Sequence, residues 1–188
     1  MTDIKFYTDY MIWGDYAAIR AIEKISEEEY RKSFGDLAGS IATKAGHLVG
    51  IIEYFVKAIE GNPYDSFPSF ADLSKDDLIR KWKELLDVWK NFVNNRKYRY
   101  FKMPIAKGSF VNIELIFADA LFHTIHHRAQ ILSFLRILGK GKDEIHPRDV
   151  NVDFINYLYK EQNQLILNTP KKEENQITVE KSEKIRNF

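Results

Sequence analysis

Three of the five histidines in this chain lie within five consecutive positions, at His123, His126 and His127. In a helix, residues four apart are separated by one turn and by about 40° of rotation, so the rings of His123 and His127 can be directed at one point. Two imidazoles at this spacing are a common way for one helix to offer two metal ligands. Buried histidines also serve as neutral core residues bonded to a neighbour, so both interpretations stay open from spacing alone.

His47 is the candidate for a third ligand, because a metal site in a helical bundle takes ligands from more than one helix. It lies in the middle of a different predicted helix, and the one remaining histidine, His146, falls in a predicted loop. Two ligands from one helix and one from another would form a three-histidine site with no further protein group to close it. Such a site is typical of a catalytic metal with positions open to water or substrate.

The hydrophobic pattern predicts the helices that would position these histidines. Apolar and small residues recur every three or four positions in four segments, about residues 7–25, 40–59, 74–93 and 111–138. The second segment begins near Asp36 or Ser40 and ends at Gly61, before a proline, and Ser74 is a predicted N-cap for the third. The fourth segment is apolar on nearly every side, so we expect it in the centre of a bundle or between the core and a partner subunit.

These segments predict an all-α fold, a four-helix bundle with a short fifth C-terminal helix near residues 149–159 and a polar tail. Residues 94–109 interrupt the helical pattern and predict a long connection with a short extended piece. We expect one domain over residues 1–160. Over residues 161–188, where basic and acidic side chains balance, we expect a disordered or loosely packed tail.

Composition and charge exclude several classes of function. The chain has 188 residues and no cysteine, which excludes a disulfide framework, an iron–sulfur site and a cysteine nucleophile. Its 28 basic and 27 acidic residues give a net charge of +1, so no overall field draws it to nucleic acid or to an anionic membrane. It shows no signal-peptide pattern and no apolar run long enough to cross a bilayer, so we expect a cytoplasmic location.

Four stretches of the chain occur in the order of a known pattern: Tyr-x-x-Trp at residues 10–13, the loop and helix around His47, His-x-x-x-His-Arg-x-Gln at residues 123–130, and closing segments at residues 135–139 and 147–158. Together they resemble the DinB/YfiT-like superfamily of metal-binding four-helix bundles, over about residues 3–160. The resemblance implies a divalent metal, zinc or nickel, held by His47, His123 and His127. His126 falls at a variable position of the motif, so a polar or packing role is expected for it.

The resemblance also implies two chemistries on a small-molecule substrate: metal-dependent hydrolysis, or transfer and isomerisation that use a low-molecular-weight thiol. The enzyme would be a hydrolase or an S-transferase, with its catalytic residues unknown. Because the chain has no cysteine, any thiolate would come from the substrate or from a thiol cofactor. Asp119 and Gln130 are candidates to orient the ligand rings by hydrogen bonds, and Trp13 and Tyr54 are candidates to line the pocket.

One departure from the family pattern concerns acid–base chemistry. Members often carry an acidic residue five positions after the first ligand, where this chain has Ile52. Glu53 is one position out of that register. A general-base role for Glu53 is therefore not expected.

Two alternatives to an enzyme stay open. Basic and aromatic residues alternate over residues 96–102, a mixture used to bind single strands, but the patch is short and its aromatics are expected to pack inward. The other alternative is a non-catalytic metal-binding or dimeric interaction protein of the DNA-damage or stress response, because Ala118, Phe122 and Ala129 share a flank suited to a two-fold interface. We expect a homodimer, and no nucleic-acid or membrane partner.

Overall fold

The computed structural model describes residues 4–94, 100–103 and 108–140. Within them the elements follow in the order α1 (Ile4–Glu23), α2 (Glu27–Arg31), α3 (Ile41–Ile59), α4 (Lys75–Asn94), β1 (Tyr100–Met103), β2 (Ser109–Asn112) and α5 (Ile113–Ile137). The four long helices confirm the predicted all-α helical bundle. The predicted fifth C-terminal helix and the tail lie outside the described residues, and the domain boundary at residue 160 stays a prediction.

Polar side chains set where the helices begin, as the sequence predicted. The Ser40 hydroxyl accepts a hydrogen bond from the Thr43 amide at 3.1 Å, and the Thr43 hydroxyl accepts one from the Ser40 amide at 2.7 Å. This reciprocal cap decides between the two predicted starts of α3. The Ser74 hydroxyl accepts from the Asp77 amide at 3.2 Å at the start of α4, and Gly61, with φ of 84°, follows the end of α3.

Two short elements go beyond the predicted set. Helix α2 has five residues and no apolar stripe; it forms because Ser26 and Glu29 make a capping box, with bonds of 3.1 and 2.9 Å. The β1–β2 hairpin is antiparallel, with Tyr100 opposite Asn112, and it lies where a short extended piece was expected. Asn112 then caps α5 by accepting from the Glu114 amide at 2.9 Å.

The core lies between the four long helices. Helix α5 packs against α1 and α3, and α4 packs against the same two helices from the other side. The largest fully buried apolar side chains include Trp82, Trp89, Leu48 and Ile52. This arrangement makes α3 and α5 direct neighbours. No helix among the described residues has a stretch long and apolar enough to cross a membrane.

The loop between α3 and α4 packs closely along α3, on the flank next to His47. A Cβ at Gly46 would lie 2.4 Å from the Ala71 nitrogen, and one at Gly50 would lie 1.9 Å from the Pro68 oxygen. Both distances are shorter than van der Waals contact, so only glycine allows the loop to approach this side of the helix. The backbone around His47 is held by this packing.

Helix α5 is buried on several sides but not on all of them. Leu115 and Phe122 are 63% and 69% exposed, whereas Ile116, Ala120 and Ile131 on the opposite side are buried. The first predicted placement, in the centre of the bundle, is therefore wrong for the face that carries Leu115 and Phe122. The second placement, between the core and a partner, is the one compatible with this exposure.

Candidate metal centre

The three predicted ligand rings meet between α3 and α5. The Nε2 atom of His123 lies 3.2 Å from Nε2 of His47 and 3.0 Å from Nε2 of His127. One ligand atom from each of the three rings lies within 4.8 Å of the other two. The ring of residue 47 thus reaches the pair that lies 76 and 80 positions later in the chain, because α3 and α5 are neighbours.

The spacing of these nitrogens fits a shared cation. Two imidazole nitrogens bound to one tetrahedral zinc ion, at about 2.0–2.1 Å each, lie about 3.3 Å apart, close to the observed 3.0 and 3.2 Å. Nitrogens at this separation need a proton or a cation between their lone pairs. The donor set, three imidazoles on two helices, is suited to zinc, nickel and other transition metals.

Burial keeps the three rings neutral, which is the form that binds a metal. Burial lowers the pKa of His127 to about 4, with the Gln130 hydrogen bond opposing and the neighbouring rings acting in the same direction as burial. Burial also lowers the pKa of His47, as does the nearby charge of His123. The pKa of His123 falls for the same reason, although the Asp119 carboxylate opposes the change.

Gln130 orients the His127 ring, as proposed from the sequence. Its Oε1 atom lies 2.8 Å from Nδ1 of His127. An amide oxygen only accepts, so Nδ1 of the neutral ring carries the proton, and Nε2 presents its lone pair to the centre. The Gln130 amide nitrogen in turn lies 3.0 Å from Nε2 of His126.

The other polar candidates have different surroundings. His126 is exposed and contacts Gln130 rather than the three ligand nitrogens, which agrees with the polar role expected for it. Asp119 is exposed, and it acts on His123 through its charge. Within the described residues no hydrogen bond joins Asp119 to a ring of the triad, so the orienting role proposed for it has no support there.

Glu53 lies away from the triad, in agreement with the departure from the family pattern. It is buried, and its Oε1 atom accepts from the Tyr64 hydroxyl at 2.9 Å. Its Oε2 atom forms an ion pair with Lys81 of α4 at 2.5 Å. These partners hold the carboxylate between α3, α4 and the intervening loop.

The aromatic candidates for a pocket lining pack among other aromatic residues. Tyr54 is fully buried and contacts the rings of Phe55 and Phe67, and Trp13 stacks on Tyr10 at 6.3 Å between centroids.

The basic and aromatic patch over residues 96–102 has one side chain that the structure describes, that of Tyr100. Tyr100 is 60% exposed, so the expectation that it packs inward is wrong.

A second polar cluster was missed by the sequence analysis. Arg128, directly after His127, is completely buried, and its Nη1 atom donates to Asp15 and to the Met11 carbonyl, both at 2.8 Å. The other oxygen of Asp15 accepts from the Trp82 indole at 3.2 Å. The available signal was Asp15 itself, a charge inside the otherwise apolar stripe of the first helix.

Gly14 makes room for this cluster. A Cβ at position 14 would lie 2.3 Å from Nη1 of Arg128 and 2.6 Å from its Cζ. The guanidinium therefore occupies the space that any other residue would fill.

The fold and site define a helical bundle with a candidate metal centre of three histidines. The model of the DinB family matches residues 1–149, which is most of the chain. The chain belongs to the DinB family, as its motifs indicated. No curated protein matches its sequence.

Proposed function

We propose that this protein is a divalent-metal-dependent enzyme that acts on a small molecule through an open three-histidine site. The observation that carries the proposal is the convergence of three neutral imidazoles from two helices, with nitrogen separations of 3.0 and 3.2 Å. Among the described residues no carboxylate or cysteine completes the group. Three ligands leave coordination positions for water or substrate.

The chemistry follows from the charge of the site. When bound, a divalent ion keeps its full charge among neutral ligands and so acidifies water or a thiol, which supplies a nucleophile near neutral pH. The chain contributes the fixed ring positions, the low pKa values that keep the rings unprotonated, and the Gln130 bond that orients His127. Zinc and nickel are the proposed metals, because both accept imidazole ligands.

Two reaction classes fit these groups: hydrolysis, and transfer or isomerisation with a low-molecular-weight thiol. The thiol route requires an external sulfur, since the chain has no cysteine. We propose a cytoplasmic enzyme of small-molecule metabolism or detoxification, as a hydrolase or an S-transferase. A cytoplasmic location remains a prediction.

The test loads untagged protein with cobalt as a coloured substitute for zinc and follows its visible spectrum during titration with a small thiol and, separately, with a hydrolysable ester. A thiol-to-metal absorption band supports the thiol route, and metal-dependent ester turnover supports hydrolysis. His123→Ala should abolish either signal, and the matched variant His126→Ala should retain it. A loaded protein that shows neither signal with any thiol or ester contradicts the enzyme proposal.

The second candidate function is a non-catalytic metal-binding or dimeric interaction protein of the stress response. The exposure of Leu115 and Phe122 on α5 favours it, since large exposed apolar side chains mark interaction surfaces. A protein that binds metal and self-associates, but is silent in the cobalt experiment, would support this candidate over the enzyme.

A further inference from the structure

The exposed face of α5 carries a regular apolar seam. Its members follow one another at alternating steps of three and four residues: Leu115, Ala118, Phe122, Ile125 and Ala129. Leu115 and Phe122 are 63% and 69% exposed, Ile125 is 37% exposed, and Ala129 is also exposed. This spacing is typical of the contact line between two helices that pack at a small angle.

We propose that the seam binds the same helix of a second copy of this chain, antiparallel, with the two-fold axis near Phe122. The proposal concerns assembly and does not depend on the proposed function. A two-fold interface uses the same patch on both copies, so the seam must be complementary to itself.

Side-chain sizes along the seam meet this requirement. Leu115 and Ala129 lie seven residues on either side of Phe122, so an antiparallel pairing places the large side chain of one copy against the small one of the other. Ala118 and Ile125, four residues before and three after Phe122, pair in the same way. A parallel pairing would crowd two leucines at one end of the seam and leave two alanines facing each other at the other end.

Polar groups beside the seam are complementary in the same orientation. Asp119 and His126 are both exposed and lie on one flank of the seam, three residues before and four after Phe122. Antiparallel pairing places Asp119 of one copy beside His126 of the other, twice by symmetry. A parallel two-fold pairing would place this flank of each copy on opposite sides of the interface, so Asp119 of one copy would not meet His126 of the other.

The hydrogen bonding of His126 suits this contact. Its Nε2 atom accepts from the Gln130 amide at 3.0 Å, so Nδ1 of the neutral ring carries the proton and can donate to a carboxylate. Gln130 also bonds the ligand His127 at 2.8 Å. The interface therefore lies beside the candidate metal centre, two hydrogen bonds from the ring of a ligand histidine.

A competing occupant of the seam would be the segment near residues 149–159 of the same chain, where Val152, Ile155 and Tyr159 recur at steps of three and four. A second copy is favoured because side-chain sizes and charges at one end of the seam are complementary to those at its other end. An intramolecular occupant would leave the protein a monomer at all concentrations, which the experiments below would show.

The absence of cysteine allows an unambiguous cross-linking test. Full-length Leu115→Cys and Ala129→Cys proteins are treated with a short bis-maleimide, separately and as a mixture. Two copies of residue 115 in the antiparallel dimer are about 21 Å apart along the helix axis, so each protein alone should give little product and the mixture should give cross-linked dimer. Leu37 is fully exposed and lies outside the seam. The control mixture therefore contains Leu37→Cys in place of Leu115→Cys, together with Ala129→Cys.

Equal cross-linking of the separate proteins and the mixture would overturn the antiparallel arrangement, and cross-linking no greater than in the Leu37→Cys control would overturn the interface.

Sedimentation velocity provides an independent test. Wild-type protein should sediment as a dimer, and Phe122→Glu should convert it to a folded monomer with an unchanged circular dichroism spectrum, whereas Leu37→Glu should remain dimeric. A wild-type monomer throughout the soluble concentration range would overturn the proposal.

Discussion

His127 and Arg128 are neighbours on α5, yet they serve two different polar clusters inside the bundle. His127 is directed to α3, where its Nε2 atom lies 3.0 Å from Nε2 of His123 and within 4.8 Å of the ligand atom of His47. Arg128 is directed to α1, where it donates to Asp15 and the Met11 carbonyl. The comparison teaches that a buried charge paired with an opposite charge of the same chain acts in structure, whereas ring nitrogens that face one another need a proton or a cation between them, and a cation can serve all three rings at once.

The largest expected effect is at the Arg128 cluster. Replacing Arg128 by Ala leaves the Asp15 carboxylate buried without its cation, which should lower the free energy of unfolding by about 3–5 kcal/mol. Urea denaturation measures this change. The double variant Arg128→Met/Asp15→Leu, which removes both charges, should recover most of the loss; a double variant no more stable than the single one would contradict the assignment of an ion pair.

Next comes the loss of one ligand. His123→Ala removes the ring that contacts both others, so metal affinity should fall by more than about 100-fold, beyond the cost of losing an orienting partner. Competition with a chromophoric chelator measures the affinity. The stability of the metal-free protein should change little, in contrast to Arg128→Ala, and equal metal affinity in wild type and His123→Ala would contradict the site.

A smaller effect is expected where Gln130 orients His127. Gln130→Leu removes the acceptor for Nδ1–H, so metal affinity should fall about 10–100-fold. Gln130→Glu keeps an acceptor oxygen at the same position and should retain affinity. Equal loss in both variants would show that the amide acts by packing and not as an acceptor.

The pH dependence of the free energy of unfolding, measured on the metal-free protein, tests the burial of His127. The folded His127 has a pKa of about 4, below the ordinary value of 6.5, so between these values the unfolded chain binds more protons than the folded one. Its contribution to stability is complete above pH 6.5 and is lost as the pH falls to about 4. Unfolding curves across this range should show a weaker decline for His127→Gln than for wild type; parallel declines would contradict the assignment.

The smallest effect is predicted for Glu53. Its carboxylate bonds Tyr64 and Lys81 and lies away from the triad. Glu53→Gln should therefore leave metal affinity unchanged in the chelator competition assay, with a modest loss of stability. A tenfold drop in affinity would place Glu53 in the site after all.

The comparison also shows what the sequence could predict. His123 and His127 were predictable because i, i+4 spacing places them on one helix face, and His47 was predictable from the family motif. The starts of α3 and α4 were predictable because their caps are local. The Asp15–Arg128 pair was not, because its members lie 113 positions apart and a charge in an apolar stripe does not reveal its partner. The flank of α5 with Ala118, Phe122 and Ala129 was predicted from periodicity, but its exposure was not, because periodicity identifies apolar faces and not which of them the bundle covers.

The measurement that tests the central claim most directly is the metal content of untagged protein after loading with zinc or nickel, for wild type, His47→Ala and His126→Ala. His47 is decisive because it comes from α3, whereas the other two ligands share α5. The account predicts one tightly bound ion per chain in wild type and His126→Ala, and none in His47→Ala. Full metal content in His47→Ala, or no stoichiometric metal in wild type, would contradict a cation shared by the two helices.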